Sequence, residues 1–243
     1  MERLDLSESL EGWSPPPASA AILCAALTRL EDCRRDPSST RHINVTQTLR
    51  LAEKLRAAGV FVVFPSSNLV FAGHRPCQPA DDPLCPQTEY GRQKAAVEAE
   101  LATFGSGAAI VRLTKVVGPQ WALACDWAQA LRTGRPIRAF NDLRCAPIPL
   151  ELTVHGLLEV AHRRLPGIWQ FSAPTDVSYA ELASHLARRL GADPSLVKVV
   201  SGQATGGLEH IPCHTTLDTT RARAELGIEF PAPFEAMARL ACL

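Results

Sequence analysis

Tyr90 and Lys94 stand four residues apart in Tyr90-Gly91-Arg92-Gln93-Lys94, in a chain that holds only two tyrosines and four lysines. On a helix, that spacing puts the ammonium on the same face as the phenol, one turn away. A neighbouring cation favours phenolate and lowers a pKa that starts near ~10, so Tyr90 is a candidate general acid or base. A third group is needed to hydrogen-bond a substrate oxygen. Ser66-Ser67 follows the apolar run Val60 to Phe64, at the carboxyl end of a candidate strand, where open α/β sheets bind ligands. A strand, then serine, then a loop, then Tyr-x-x-x-Lys on the next helix is a constellation for general acid or base work on a substrate oxygen held by a hydrogen bond.

The elements that must position these residues alternate between short apolar runs and longer amphipathic ones, as in a parallel sheet with helical crossovers. Ala20 to Ala26 reads as a buried strand, Ser38 to Ala58 as a helix with Val45, Leu49, Ala52 and Leu55 on one face, and Val60 to Phe64 as the next strand. A Pro- and Asp-rich loop from Pro65 to about Glu89 leads into a helix running to Phe104, and Ala108 to Arg112 is a third strand. Beyond Gly118, helices are expected over Gln120 to Arg132 and Thr153 to Arg163, and extended segments over Ile137 to Phe140 and Gly167 to Phe171. Ser178 with Glu181 three residues on makes a capping box for a helix ending at Gly191. Short helices follow near Asp218 to Leu226 and Pro233 to Leu243.

The chain has 243 residues and a formal net charge of zero, from 25 basic and 25 acidic side chains, so it lacks the basic excess that nucleic-acid binding exploits. At this size a core can bury roughly 70% of the unfolded surface without disulfides or structural metal. The longest apolar run, Ala20 to Leu27, is far short of the roughly 20 residues of a spanning helix. With the acidic start at Glu2 and Asp5, the chain reads as soluble and cytoplasmic. The eight cysteines form no Cys-x-x-Cys pair and read as reduced thiols. His210-Ile211-Pro212-Cys213-His214 has zinc-type side chains, but Pro212 breaks the register and the segment reads as a loop leading into a strand.

Taken together these residues resemble the extended short-chain dehydrogenase/reductases, and most closely the dTDP-4-dehydrorhamnose reductase-like branch. The resemblance rests on Ala25-Ala26-Leu27-Thr28 after a strand, Asn44 opening the next helix, Pro65 to Phe71, Asp81-Asp82-Pro83, Tyr90 to Lys94, Val111-Arg112 with Val117-Gly118-Pro119, Trp169 to Ser172 with Val177-Ser178, and Leu217-Asp218-Thr219. It implies an α/β chain with an N-terminally truncated, parallel-sheet, Rossmann-like NAD(P)-binding fold and a smaller substrate lobe. The two parts are placed at residues 1–120 and 121–243, the second returning one strand to the sheet.

By the same resemblance Ser67 polarises the carbonyl, Tyr90 donates the proton, and Lys94 tunes Tyr90 and bonds the nicotinamide ribose. Ala25, Ala26, Asn44 and Val116 complete the NADP or NAD contacts. The implied reaction is reduction of a nucleotide-activated 4-keto-sugar. An epimerase or dehydratase of the same superfamily would use the same three residues, and a regulatory or binding subunit would keep the fold without the reaction, as the regulatory subunit of methionine adenosyltransferase resembles this branch.

The sequence departs from that pattern at the front, where it holds no Gly-x-x-Gly-x-x-Gly turn between a strand and a helix to take a cofactor pyrophosphate. Lys115 also stands where the rhamnose reductases carry an aromatic. Without the family's first strand, the strand from Ala20 becomes a sheet edge, and the expected partner at that edge is a second copy of the chain or a separately encoded N-terminal half.

Overall fold

The computed structural model describes residues 4–238. In chain order the elements are β1 (Ala20–Ile22), α1 (Leu30–Arg35), α2 (Pro37–Arg41), a π turn (His42–Gln47), α3 (Thr48–Ala57), β2 (Phe61–Ser67), α4 (Glu89–Ala102), β3 (Ala108–Leu113), β4 (Lys115–Val117) and α5 (Ala122–Arg132). There follow β5 (Ile137–Phe140), β6 (Arg144–Cys145), β7 (Pro147–Pro149), α6 (Leu150–His162), β8 (Gly167–Phe171), β9 (Val177–Ser178), α7 (Tyr179–Arg189), β10 (Val197–Val200), α8 (Gly202–Thr205), α9 (Thr220–Leu226) and α10 (Pro233–Met237). The part of the last expected helix beyond residue 238, and Cys242, lie outside the described residues.

The chain forms two compact units that interleave in sequence. The first takes residues up to Ala72, Asp81–Leu113 and His155–Gln170; the second takes Gly73–Ala80, Thr114–Val154 and the chain from Phe171.

The first unit is built on a sheet of order β1-β2-β3-β8, with β1, β2 and β3 parallel. Buried parallel strands present both faces to helices and so read as continuous apolar runs. Val60, Val62 and Phe64, with Ala108 and Ile110, pack against Val45, Leu51, Ala52 and Leu55 of the preceding helical run and Val97 and Leu101 of α4. Leu6 and Leu10 of the front segment join the same core. β2 runs three residues further than its apolar stretch suggests, through Pro65 to Ser67. Pro65 lies past the last β1 pair, Ile22 with Val63, so its missing N–H forfeits no ladder bond to that strand. β1 has only three residues and is the edge of the sheet; no described strand pairs with its outer side.

In the second unit β10 pairs in parallel with β5, and α5 and α7 share a core of Trp127, Leu131, Leu182 and Leu186. The capping box forms: the Glu181 amide donates to Ser178 Oγ at 3.1 Å, and the Ser178 amide donates to Glu181 Oε2 at 2.7 Å. Tyr179, the chain's other tyrosine, packs edge-on against Trp121 and Trp127, with centroids 6.4 Å away in each case. The segment from His210 to Thr216 is a loop that ends at a single bridge between Gln78 and Leu217. Among the described residues, no group of three His, Cys, Asp or Glu side chains could hold a metal ion, and no helix is long and apolar enough to cross a membrane.

Candidate active site

The first unit brings Ser67, Tyr90 and Lys94 to the carboxyl end of its sheet. Ser67 is the last residue of β2, and its Oγ accepts the Leu69 amide at 3.2 Å, capping the short 3-10 turn Asn68–Val70 that follows. Its Oγ stands 3.5 Å from Asn68 Oδ1, the limit of bonding distance, so the hydroxyl remains a competent donor to a substrate oxygen.

α4 starts beside that turn. Thr88 caps it by accepting the Gly91 amide at 3.1 Å, which fixes the first turn and with it the direction of Tyr90. Gly91 is needed for space: a Cβ there would overlap the Leu69 carbonyl oxygen and stand 3.1 Å from Pro86 Cβ. The helix therefore presses its backbone directly on the turn that Ser67 caps.

One helical turn on, Lys94 is buried at 6% exposure. Its Nζ donates to the Pro65 carbonyl at 2.9 Å, and it stands 4.4 Å from the Phe64 ring centroid and 5.6 Å from that of Tyr90. Burial pushes the ammonium down to about 8, opposed first by the Glu98 carboxylate.

The Tyr90 phenol departs from the sequence expectation. Lys94 is placed beside it, yet burial, with a smaller push from Cys33, raises the phenol above the usual tyrosine range. The ammonium lies over ring faces and bonds a backbone carbonyl, so its field does not offset the lost hydration of a phenolate. Tyr90 is thus held as a protonated donor, which suits an acid delivering a proton and does not suit a resting phenolate base.

Asn44 also differs from expectation. It sits inside the π turn of a continuous helical run, not at a helix start. Its Oδ1 accepts the Leu27 amide and its Nδ2 donates to the Leu27 carbonyl, both at 2.8 Å, and Nδ2 also donates to Gln93 Oε1 at 2.8 Å. With both amide hydrogens engaged, Asn44 cannot donate directly to a cofactor. It holds the segment Ala25–Leu27, which leaves the end of β1, as a neighbouring strand would. Gln93, fully buried between Tyr90 and Lys94 in sequence, passes the network on to Thr40 Oγ1 at 2.9 Å. Ala25 is exposed and Ala26 half-exposed on that segment. Val116 belongs to β4 of the second unit and is half-buried there.

Comparison with known proteins gives the family of the chain. The family model described as RmlD substrate binding domain covers residues 13–241. The chain belongs to the RmlD substrate binding domain family. A relative in this family, the probable low-salt glycan biosynthesis reductase Agl14 of Haloferax volcanii, is 24% identical over 232 residues, 90% of this chain and 75% of its own. The dTDP-4-dehydrorhamnose reductase of Streptomyces griseus is 27% identical over 217 residues, 85% and 70% of the two chains. In fold, the chain superposes on a Bacillus anthracis dTDP-4-dehydrorhamnose reductase structure, in complex with NADP, with a TM-score of 0.85 over 97% of this chain and 83% of that one, at 19% identity. The RmlD family resemblance read from the motifs, and the parallel-sheet Rossmann-like fold it implies, both hold.

Sequence reasoning passed over Gly91, Gln93 and the buried pair Glu98–Arg112. A glycine inside a helix-forming stretch signals a close approach, and a carboxylate and a guanidinium in otherwise apolar positions signal each other.

Proposed function

We propose that this chain is an NAD(P)-dependent reductase of a nucleotide-activated 4-keto-sugar. The observation that supports it best is the convergence of Ser67, Tyr90 and Lys94 at the carboxyl end of β2, with burial raising the phenol above the usual tyrosine range. The keto oxygen accepts from Ser67 Oγ and Tyr90 Oη; as the carbonyl carbon gains a hydride, the oxygen takes the Tyr90 proton and the product is the alcohol. Lys94 keeps a positive charge below the phenol as it becomes phenolate, which lowers the cost of that transfer.

A bound reduced nicotinamide supplies the hydride. The residues present suit that end of the cofactor: Lys94 has two ammonium hydrogens beyond the one given to Pro65, and Ala25–Leu27 offers a small-residue backbone pinned by Asn44. For the diphosphate end, the described residues contain no glycine-rich turn opening a helix. The relatives named above, a reductase of glycan biosynthesis and a dTDP-4-dehydrorhamnose reductase, support the substrate class.

The unpaired outer side of β1 supports a partner: a second copy of the chain or a separate front half adding a strand there. One second reading, a binding or regulatory subunit that keeps the fold without turnover, is supported by similarity to the methionine adenosyltransferase 2 subunit beta of Pongo abelii, 30% identical over 97 residues, 40% of this chain and 29% of its own.

The test is Tyr90→Phe, which removes one hydroxyl. Incubation of the wild-type chain with dTDP-4-dehydro-6-deoxyhexoses and NADPH or NADH should consume the nicotinamide, and the variant should not, with the same melting transition. Equal rates in both proteins would refute the assignment of Tyr90, and no rate in either would favour the regulatory reading.

A further inference from the structure

The helix that carries Tyr90 and Lys94 continues the same column by one more turn to Glu98, which is 3% exposed. Two strands bind its carboxylate. Arg112 of β3, itself 2% exposed, donates to Oε2 from Nη2 at 2.8 Å and from Nε at 3.1 Å, and Ser66 Oγ of β2 donates to Oε1. Arg112 also lies 4.8 Å from the centroid of the Phe71 ring. Ser66 immediately precedes Ser67, and the two residues before it are those that Lys94 touches, Pro65 and Phe64. One carboxylate therefore ties the strand end that presents Ser67 to the helix face that presents Lys94.

A buried ion pair is seldom worth more to stability than apolar side chains of the same volume, so this one is better explained by what it holds. We propose that Glu98, backed by Arg112 and bonded by Ser66, is a positioning residue of the candidate site that fixes the Ser67 strand end and sets the electrostatic surroundings of Lys94. The inference rests on the reading of Ser67, Tyr90 and Lys94 given above.

The ionisable groups that act on Lys94 are Tyr90 and Glu98 on its own helix, Cys24 after β1 and Cys33 of α1; those that act on Glu98 are Arg112 and Lys94. Among the charges that keep Lys94 protonated against burial, Glu98 contributes most, ahead of the two thiols. Without it, Lys94 loses its main anionic neighbour.

The test follows Lys94 itself. With four lysines in the chain, NMR of isotope-labelled lysine side chains resolves each titration, and Lys94→Met assigns the signal. Glu98→Gln is compared with the double variant Glu98→Gln/Arg112→Met, which removes both members of the buried ion pair, a change folds tolerate better than the loss of one partner. The Lys94 midpoint should fall below its wild-type position in the double variant, and the alkaline limb of the kcat/KM profile should fall with it. An unmoved midpoint in the folded double variant overturns the proposal, as does a moved midpoint with an unmoved rate profile. The titration needs neither substrate nor cofactor, so a wild-type chain without turnover would count against the reductase reading while Lys94 still reports on Glu98.

Discussion

Replacing Gly91 by alanine should damage this protein at a place where helix propensity alone predicts improvement. In an open helix, Gly→Ala gains about 1 kcal/mol. Here the new methyl meets backbone: it would overlap the Leu69 carbonyl oxygen and stand 3.0 Å from the Leu69 carbonyl carbon and 3.1 Å from Pro86 Cβ. A carbonyl in a capped turn cannot swing aside as a side-chain end can, so the first turn of α4 must retreat by about an ångström, an overpacking cost of about 1–3 kcal/mol. The net is a loss of about 1 kcal/mol, or roughly 2–4 °C in the melting transition of a chain of this size. The effect on chemistry is larger, because that retreat carries Tyr90 away from Ser67, and a misplacement of about 1 Å costs roughly a hundredfold in rate. Calorimetry and the nicotinamide-linked assay measure the two effects separately. Ala99→Gly, on the exposed face of the same helix, serves as the comparison: it should lose about 1 kcal/mol in stability and leave turnover alone. A Gly91→Ala protein that melts at or above wild type with full turnover would refute the close-approach argument.

Burial of Lys94 gives opposite pH trends. Its folded value of about 8 lies below its ordinary 10.5, so between them the unfolded chain holds a proton the folded one has released, and the Lys94 contribution to stability should climb with pH across that window while the ammonium-dependent step declines. Lys94→Met should remove both trends; a wild-type-minus-variant stability difference that falls from pH 8 to 10 would contradict it. In the proposed reading, calorimetric titration with NADH and NADPH should show weak binding, since the described residues offer candidate contacts only for the nicotinamide end; tight binding would mean that another segment takes the diphosphate. Light scattering should show a mass that rises with concentration, through the unpaired side of β1, and a strict monomer at high concentration with an ordinary cooperative melt would argue against edge pairing.

The elements legible in the sequence are those whose signal is local. β2, β3 and β8 are continuous apolar runs bounded by glycine, and Ile137–Phe140 and Gly167–Phe171 fall where their β-rich composition puts them. α1 was not legible: Leu30-Glu-Asp-Cys-Arg-Arg35 is mostly charged, and it is supported by ion pairs three residues apart, Glu31 with Arg34 at 2.8 Å and Asp32 with Arg35 at 2.9 Å. β10 was missed because it is a half-exposed strand whose only regular partner is β5, about sixty residues earlier in sequence. In the site, Ser67, Tyr90 and Lys94 were legible because strand end and helix spacing are enough to set them on one edge. The direction of the phenol's shift was not, because it depends on how deeply the fold buries the ring. The role of Asn44 was hidden for a similar reason, its partner being the backbone of Leu27 seventeen residues upstream.

The π turn at His42–Gln47 makes the helical run from Pro37 to Ala57 a joint between two phases. A wide turn takes one residue more than an α turn, so everything after it is rotated by roughly 100° relative to an unbroken helix. Upstream of the joint, Thr40 meets Gln93; downstream, Leu51, Ala52 and Leu55 meet the sheet core; and Asn44 lies within it, aimed at Leu27. No single α-helical register serves all three. Deleting one residue within the turn would let the run close into a regular helix with both ends still facing their partners, at the expense of Asn44's aim. The chain keeps an otherwise disfavoured turn, and the extra residue in it is what allows one helix to serve the core and the candidate site at once.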